Sequence, residues 1–118
     1  MAGVTAEVDF VHLLKGFDGN RSLVGEVVDV FLQDVPTMLT RLRDAVRARS
    51  AADVAAAAHA IKGAAGLFSL GAAYESARRL EQLARGGDLT TADPACADVE
   101  ADVSRLTAEL RVVRNSLG

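Results

Sequence analysis

Apolar residues recur at intervals of three and four along most of this chain, with polar residues between them. This spacing is typical of amphipathic α-helices, because a helix turns once in about 3.6 residues and so collects such positions on one face. The pattern predicts helices over about 7–16, 20–46, 50–68 and 73–84, and a last helix from about 93 to the end of the chain.

Residues that favour helix ends stand at the boundaries of these segments. Asn20 or Ser22 can accept a backbone hydrogen bond at the start of the second helix, and Ser50 can do so for the third. The pair Asp93-Pro94 has the form of a cap followed by proline in the first helical position. The glycines of Gly86-Gly87 predict the end of the fourth helix.

A proline lies inside the second predicted helix. Pro36 removes one backbone hydrogen bond and crowds the preceding turn, yet the apolar spacing resumes beyond it. We therefore predict that the helix continues, with a kink between Leu32 and Pro36.

The composition favours packing these helices into a bundle. Of the 118 residues 50% are apolar but only 4% are aromatic, so the helices would approach closely through small side chains. This length is typical of one domain. We expect an all-α fold, an antiparallel up-down four-helix bundle with a short N-terminal capping helix, forming a single domain over residues 1–118.

Charge and cysteine content argue against several classes of function. The net charge is −3 and the basic residues are dispersed, which predicts no nucleic-acid partner. Cys96 is the single cysteine, so no internal disulfide or thiolate metal cage can form. The chain start has no signal-peptide pattern, and no uncharged apolar run reaches the roughly 18 residues of a membrane span. We expect a cytoplasmic protein with no membrane partner.

The run from Ala58 to Gly66 contains the strongest candidate for chemistry, His59. At about 100° per residue, Lys62, Gly63 and Gly66 fall within roughly 60° of His59, whereas Ile61 lies about 200° away. An apolar stripe faces the other side and contains Val54, Ala58, Ile61, Ala65 and Phe68. We therefore predict that the imidazole faces water.

Three motifs together resemble the histidine phosphotransfer (HPt) domains of bacterial phosphorelays. The run His59-Ala60-Ile61-Lys62-Gly63 is similar to that family's His-x-Leu/Ile-Lys-Gly signature. The segment from Phe31 to Leu39 resembles the family's helix with a proline after a Phe-Leu pair, and Arg79-Leu80-Glu81 stands where the family often has Leu-Glu. The resemblance extends over nearly the whole chain.

The resemblance implies a set of roles around the histidine. An acceptor imidazole needs one nitrogen open to the donor and the other held by a hydrogen-bond acceptor. His59 would be the phosphoryl acceptor, Glu81 would hold Nδ1 and orient the ring, and Lys62 would stabilise phosphate charge. Gly63 and Gly66 would leave room for a partner. The candidate contacts to phosphate or partner are Arg78, Gln82 and Arg85.

The resemblance also implies the partners. A sensor or hybrid histidine kinase and the receiver domains of response regulators would exchange the phosphoryl group with His59, and the receiver would supply Mg²⁺. The chain itself would then need no cofactor and would act as a monomeric carrier rather than an enzyme.

Two positions depart from the family's pattern. Ser69 stands ten residues after His59, where the family commonly has glycine, and Ala64 stands where it often has serine. The first departure concerns the shape of the connection after Phe68, and the second removes a hydroxyl near the site.

Two other functions compete with a phosphoryl carrier. A degenerate domain of the same fold could bind receivers or kinases without accepting phosphate, although retention of His59 and Lys62 argues against it. A bundle that holds a di-metal centre or a haem needs inward carboxylates with Glu-x-x-His pairs or an axial ligand, and neither His12 nor His59 follows a glutamate by three residues. His12 has no chemical neighbours in sequence, so we interpret it as structural or incidental.

Overall fold

The computed structural model describes residues 7–117, and this part of the chain contains helices and no strand. The helices are α1 (Phe10–Gly16), α2 (Arg21–Arg47), α3 (Ala51–Gly66), α4 (Ala72–Arg85) and α5 (Ala92–Leu117). The predicted all-α fold with a short N-terminal helix is confirmed.

The four long helices form a closed bundle. Both α2 and α4 pack against α3 and α5, and α1 packs on α2. The connections 48–50, 67–71 and 86–91 are short, so each helix runs back along the one before it. The side-by-side packing of α3 and α4 is the arrangement that matters most for the site described below.

Side-chain caps explain where the helices begin. The Asn20 side chain accepts the Leu23 amide at 3.0 Å, so Asn20 rather than Ser22 caps α2. Ser50 Oγ accepts the Asp53 amide at 3.3 Å and caps α3. Each cap satisfies a backbone donor that the first turn of a helix leaves without a partner.

The proline in α2 does not end the helix. This helix runs through Pro36 to Arg47, as the resumed apolar spacing predicts. Since proline has no amide hydrogen, the Leu32 carbonyl lacks its usual donor four residues on. Pro36 lies on the exposed side of α2. The kink between these residues stays a prediction.

The core is built from the predicted apolar stripes. Its largest fully buried side chains include Leu42, Ile61, Leu80, Leu106 and Leu110, which come from all four long helices. The helices α3 and α4 pack against each other, and both contribute buried alanines to the core: Ala58, Ala65, Ala73 and Ala77. Small side chains let two helices approach closely, which brings polar groups at the edge of that contact within reach of each other.

The segment before α1 caps α4 from a distance. Glu7 Oε1 accepts hydrogen bonds from Ser69 Oγ at 3.1 Å and from the Ala73 amide at 3.4 Å. Ser69 Oγ in turn accepts the Gly71 amide at 3.0 Å. The departure at Ser69 therefore has a structural role, because its hydroxyl orders the connection that sets the start of α4.

Among the described helices, none is both long and apolar enough to cross a membrane.

Candidate functional site

The His59 side chain projects from the outer face of α3. It is 60% exposed, whereas Ile61 on the opposite side of the helix is 1% exposed. The helical spacing predicts this orientation. The buried stripe through Ala58 fixes the rotation of the helix about its axis, and that rotation holds the imidazole at the surface.

A buried carboxylate on α4 holds the imidazole. Glu81 is 4% exposed, and its Oε2 lies 2.9 Å from His59 Nδ1. Leu80, the preceding residue, is fully buried in the core. Because the two residues are about 100° apart on the helix, Glu81 emerges at the edge of the α3–α4 contact rather than inside the core.

Two cations complete the cluster around this carboxylate. Lys62 Nζ lies 2.8 Å from Glu81 Oε1, one turn of α3 beyond His59. Arg85, one turn further along α4, donates from Nε at 2.9 Å and from Nη2 at 2.6 Å to Oε2. A carboxylate buried without such partners would be costly, and here both oxygens are occupied.

The cluster keeps Glu81 ionised. Burial acts to raise the pKa of its carboxyl, but hydrogen bonds from Lys62, Arg85 and His59 outweigh burial and lower the pKa from 4.5 to about 2. At neutral pH the carboxylate can only accept hydrogen bonds, so His59 Nδ1 must donate. In a neutral imidazole Nε2 then has a free lone pair.

The two glycines of the motif differ in their surroundings. A Cβ placed on Gly63 would meet no atom within 4 Å, so this position is open. A Cβ on Gly66 would lie 3.3 Å from Tyr74 Cδ2. The small size of Gly66 therefore accommodates the Tyr74 ring of α4. That Gly63 and Gly66 leave room for a partner stays a prediction.

The other candidate residues divide into one that joins the cluster and two that do not contact it. Arg85 joins through Glu81. Arg78 instead pairs with Glu75 on its own helix, at 2.7 Å. Gln82 is exposed beside Glu81. His12 lies exposed on α1 and does not join the cluster around Glu81.

An apolar groove between α2 and α3 was not predicted from the sequence. Its lining includes Leu23, Val30 and Leu67, which are 39%, 56% and 58% exposed. Glu26 and Asp34 add acidic side chains to the same groove. The adjacent apolar pair Val30-Phe31 was a usable signal, because consecutive helical residues point about 100° apart and a pair at the edge of an apolar stripe can leave one side chain exposed.

Within residues 7–117, no group of three or more histidine, cysteine, aspartate and glutamate side chains is placed to hold a metal ion.

Comparison with known protein families gives a match. A family model described as Hpt domain matches residues 26–114, which include α3, α4 and the whole cluster around Glu81. Comparisons with the curated proteins and with the solved structures gave no match.

Proposed function

The chain belongs to the Hpt domain family, and from this premise we propose that it carries a phosphoryl group on Nε2 of His59 between the proteins of a two-component phosphorelay. The observation that supports this most directly is the 2.9 Å contact between His59 Nδ1 and the buried Glu81 carboxylate. That contact selects the tautomer whose other nitrogen is nucleophilic, on a ring that is 60% exposed.

The proposed step is an attack on the acyl phosphate of a partner aspartate. The Nε2 lone pair forms a bond to phosphorus, and the bond between phosphorus and the aspartate oxygen breaks with its electrons leaving on the aspartate. The ring keeps its proton on Nδ1 and so becomes a cationic phosphoimidazolium. Glu81 faces that positive charge from 2.9 Å, which favours phosphoryl acceptance. The reverse step returns the group to an aspartate.

Positive charge near the ring offsets the charge of the phosphoryl group. A phosphoryl group brings roughly two negative charges at neutral pH. Lys62 stands one turn from His59 and is 23% exposed, and we propose that it acts through space while it remains on Glu81. No residue of the chain needs to donate or remove a proton in this scheme.

The partners we propose are receiver domains and a sensor or hybrid histidine kinase. The open position at Gly63 and the neighbouring groove with Leu67 offer a surface where such a domain can dock beside His59. Mg²⁺ would be held by the receiver and would assist departure of the aspartate. Kinases that use ATP work in the cytoplasm, so we propose that location for the protein.

We also propose that the whole chain is one such domain and works as a monomer. Val8 and Leu13, which precede the matched residues 26–114, belong to the same apolar core as α2–α5. The cluster around Glu81 is built from α3 and α4 of a single chain, so a second copy is not needed to complete it.

The test is phosphoryl transfer from a receiver domain. The wild-type protein, His59→Gln and His12→Gln are incubated with Mg²⁺ and a receiver loaded from a small acyl phosphate. We expect the wild type and His12→Gln to gain one acid-labile, base-stable phosphate and His59→Gln to gain none. Equal labelling of His59→Gln would refute the proposal. Binding of the receiver without any labelling would favour the adaptor function instead.

A further inference from the structure

The two cations on Glu81 are not equivalent. Lys62 lies against Oε1 and its side chain is 23% exposed. Arg85 lies against Oε2 and is 61% exposed, at the last residue of α4. A largely exposed side chain at a helix end changes conformation at lower cost than one held within the α3–α4 contact.

The two carboxylate oxygens of Glu81 also differ in which hydrogen-bond donors they would keep if one cation moved away. Among the bonds of the described residues, Oε1 has Lys62 as its one charged partner. Oε2 has both Arg85 and the Nδ1 hydrogen of His59. If Lys62 moved away, Oε1 would lose its charged partner although the Glu81 side chain is only 5% exposed. If Arg85 moved away, Oε2 would still accept the Nδ1 hydrogen of His59.

Arg85 is also the cation whose shape suits a phosphoryl group. Its guanidinium and the His59 ring contact the same atom, Oε2, so they are immediate neighbours. The planar fork of an arginine can donate two parallel hydrogen bonds to phosphoryl oxygens, which an ammonium group cannot do. Once Nε2 has a phosphoryl group, the cationic ring can take the place of Arg85 as a counter-charge for Oε2.

From these three observations, and resting on the proposed function, we propose that Arg85 exchanges partners when His59 is phosphorylated. It leaves Glu81 Oε2 and binds the phosphoryl oxygens on Nε2, whereas Lys62 stays on Oε1. Arg85 would then be the residue that contacts the phosphoryl group, and Lys62 the fixed counter-ion of Glu81. This assigns different tasks to two residues that share one carboxylate.

The experiment loads His59 chemically with phosphoramidate, so that it does not depend on a receiver. The wild type, Arg85→Gln, Arg85→Lys, Lys62→Gln and the control Arg79→Gln are compared by lifetime of the phosphohistidine and by urea unfolding of the unphosphorylated protein. Arg79 is exposed on the same helix. In wild type, ¹⁵N NMR of the Arg85 guanidinium reports its contacts before and after loading.

We expect Arg85→Gln to shorten the phosphohistidine lifetime by roughly three- to tenfold, because solvent screening at an exposed site weakens a charge-assisted hydrogen bond. Arg85→Lys should be intermediate and Arg79→Gln unchanged. Lys62→Gln should lower the urea midpoint more than Arg85→Gln does. The Arg85 guanidinium resonances should shift on loading.

Equal lifetimes for the wild type and Arg85→Gln, or Arg85 resonances that do not move on loading, would overturn the exchange of partners. If Lys62→Gln shortened the phosphohistidine lifetime but left the urea midpoint unchanged, the roles assigned to Lys62 and Arg85 would be reversed. These failures differ from failure of the proposed function, in which phosphohistidine forms with phosphoramidate but receivers neither give nor take the group.

Discussion

Replacing Glu81 by glutamine tests the physical basis of the site without changing its shape. The amide oxygen can still accept a hydrogen bond from His59 Nδ1, but the negative charge between Lys62 and Arg85 is lost. Two cations that now lie against one carboxylate would face each other without a counter-ion. We therefore expect Glu81→Gln to be less stable than the wild type at neutral pH.

The magnitude follows from the pKa of Glu81. A shift from 4.5 to about 2 corresponds to an upper limit of about 3 kcal/mol at neutral pH, at roughly 1.4 kcal/mol per pKa unit. Because the Arg85 side chain is 61% exposed, solvent screens part of this interaction, and we expect about 1 to 2 kcal/mol.

The lowered pKa of Glu81 also determines the direction in which its contribution to stability changes with pH. The pKa of Glu81 is lower in the folded state than in the unfolded state, so ionisation favours folding. That contribution is complete above the unfolded value of 4.5 and is lost as the pH falls towards about 2. The difference between the wild type and Glu81→Gln should therefore shrink on acidification.

The measurement is urea unfolding of both proteins at pH 7, 5, 4 and 3. Glu75→Gln is the matched control, because Glu75 also pairs with an arginine on α4 but its side chain is 46% exposed. We expect the control to change stability little at any pH. A difference between wild type and Glu81→Gln that stays constant from pH 7 to pH 3 would refute the reasoning, since it could not come from the charge of Glu81.

Three further pairs of substitutions test the core, the two glycines of α3 and one helix start. Leu80→Ala removes a fully buried side chain and should cost about 2–5 kcal/mol in urea unfolding, whereas Leu70→Ala, at a position 69% exposed, should cost far less. Gly63→Ala should raise the free energy of unfolding by about 0.5–1 kcal/mol, because its Cβ meets open space. Gly66→Ala should gain less, because its Cβ would lie 3.3 Å from a ring; an equal gain at both glycines would show that the ring does not restrict this position. Ser50→Ala should cost about 1 kcal/mol and Ser50→Asp should restore it, and equal stability of the three proteins would rule out a capping role.

The sequence was sufficient for the helices and for the exposure of His59. Apolar spacing located the helices to within a few residues, and the polar residues at Asn20 and Ser50 marked two helix starts that the structure shows to be capped. Both kinds of signal act over a few neighbouring residues, so a single sequence contains them in full.

The sequence does not show what surrounds the two glycines, and it contains only a partial signal for the groove. Gly63 and Gly66 occupy similar places on the wheel of α3, yet only Gly66 meets Tyr74, because the two glycines lie at different heights against α4. The exposure of Val30 next to buried Phe31 likewise depends on how α2 is rotated against α3. The spacing of apolar residues within one helix does not determine how far that helix is shifted along a neighbouring helix or how it is rotated against it.

The cluster around Glu81 shows most clearly what the sequence determines and what the tertiary structure determines. The sequence by itself established that His59 lies on the outside of a helix and that Glu81 lies at the edge of another helix's apolar stripe. Only the tertiary structure decided that Glu81 meets His59 and Lys62, which lie on another helix, at hydrogen-bond distance. The physical reason is that periodicity fixes which face of a helix is buried, whereas the packing of α3 against α4 fixes the distance between side chains of the two helices.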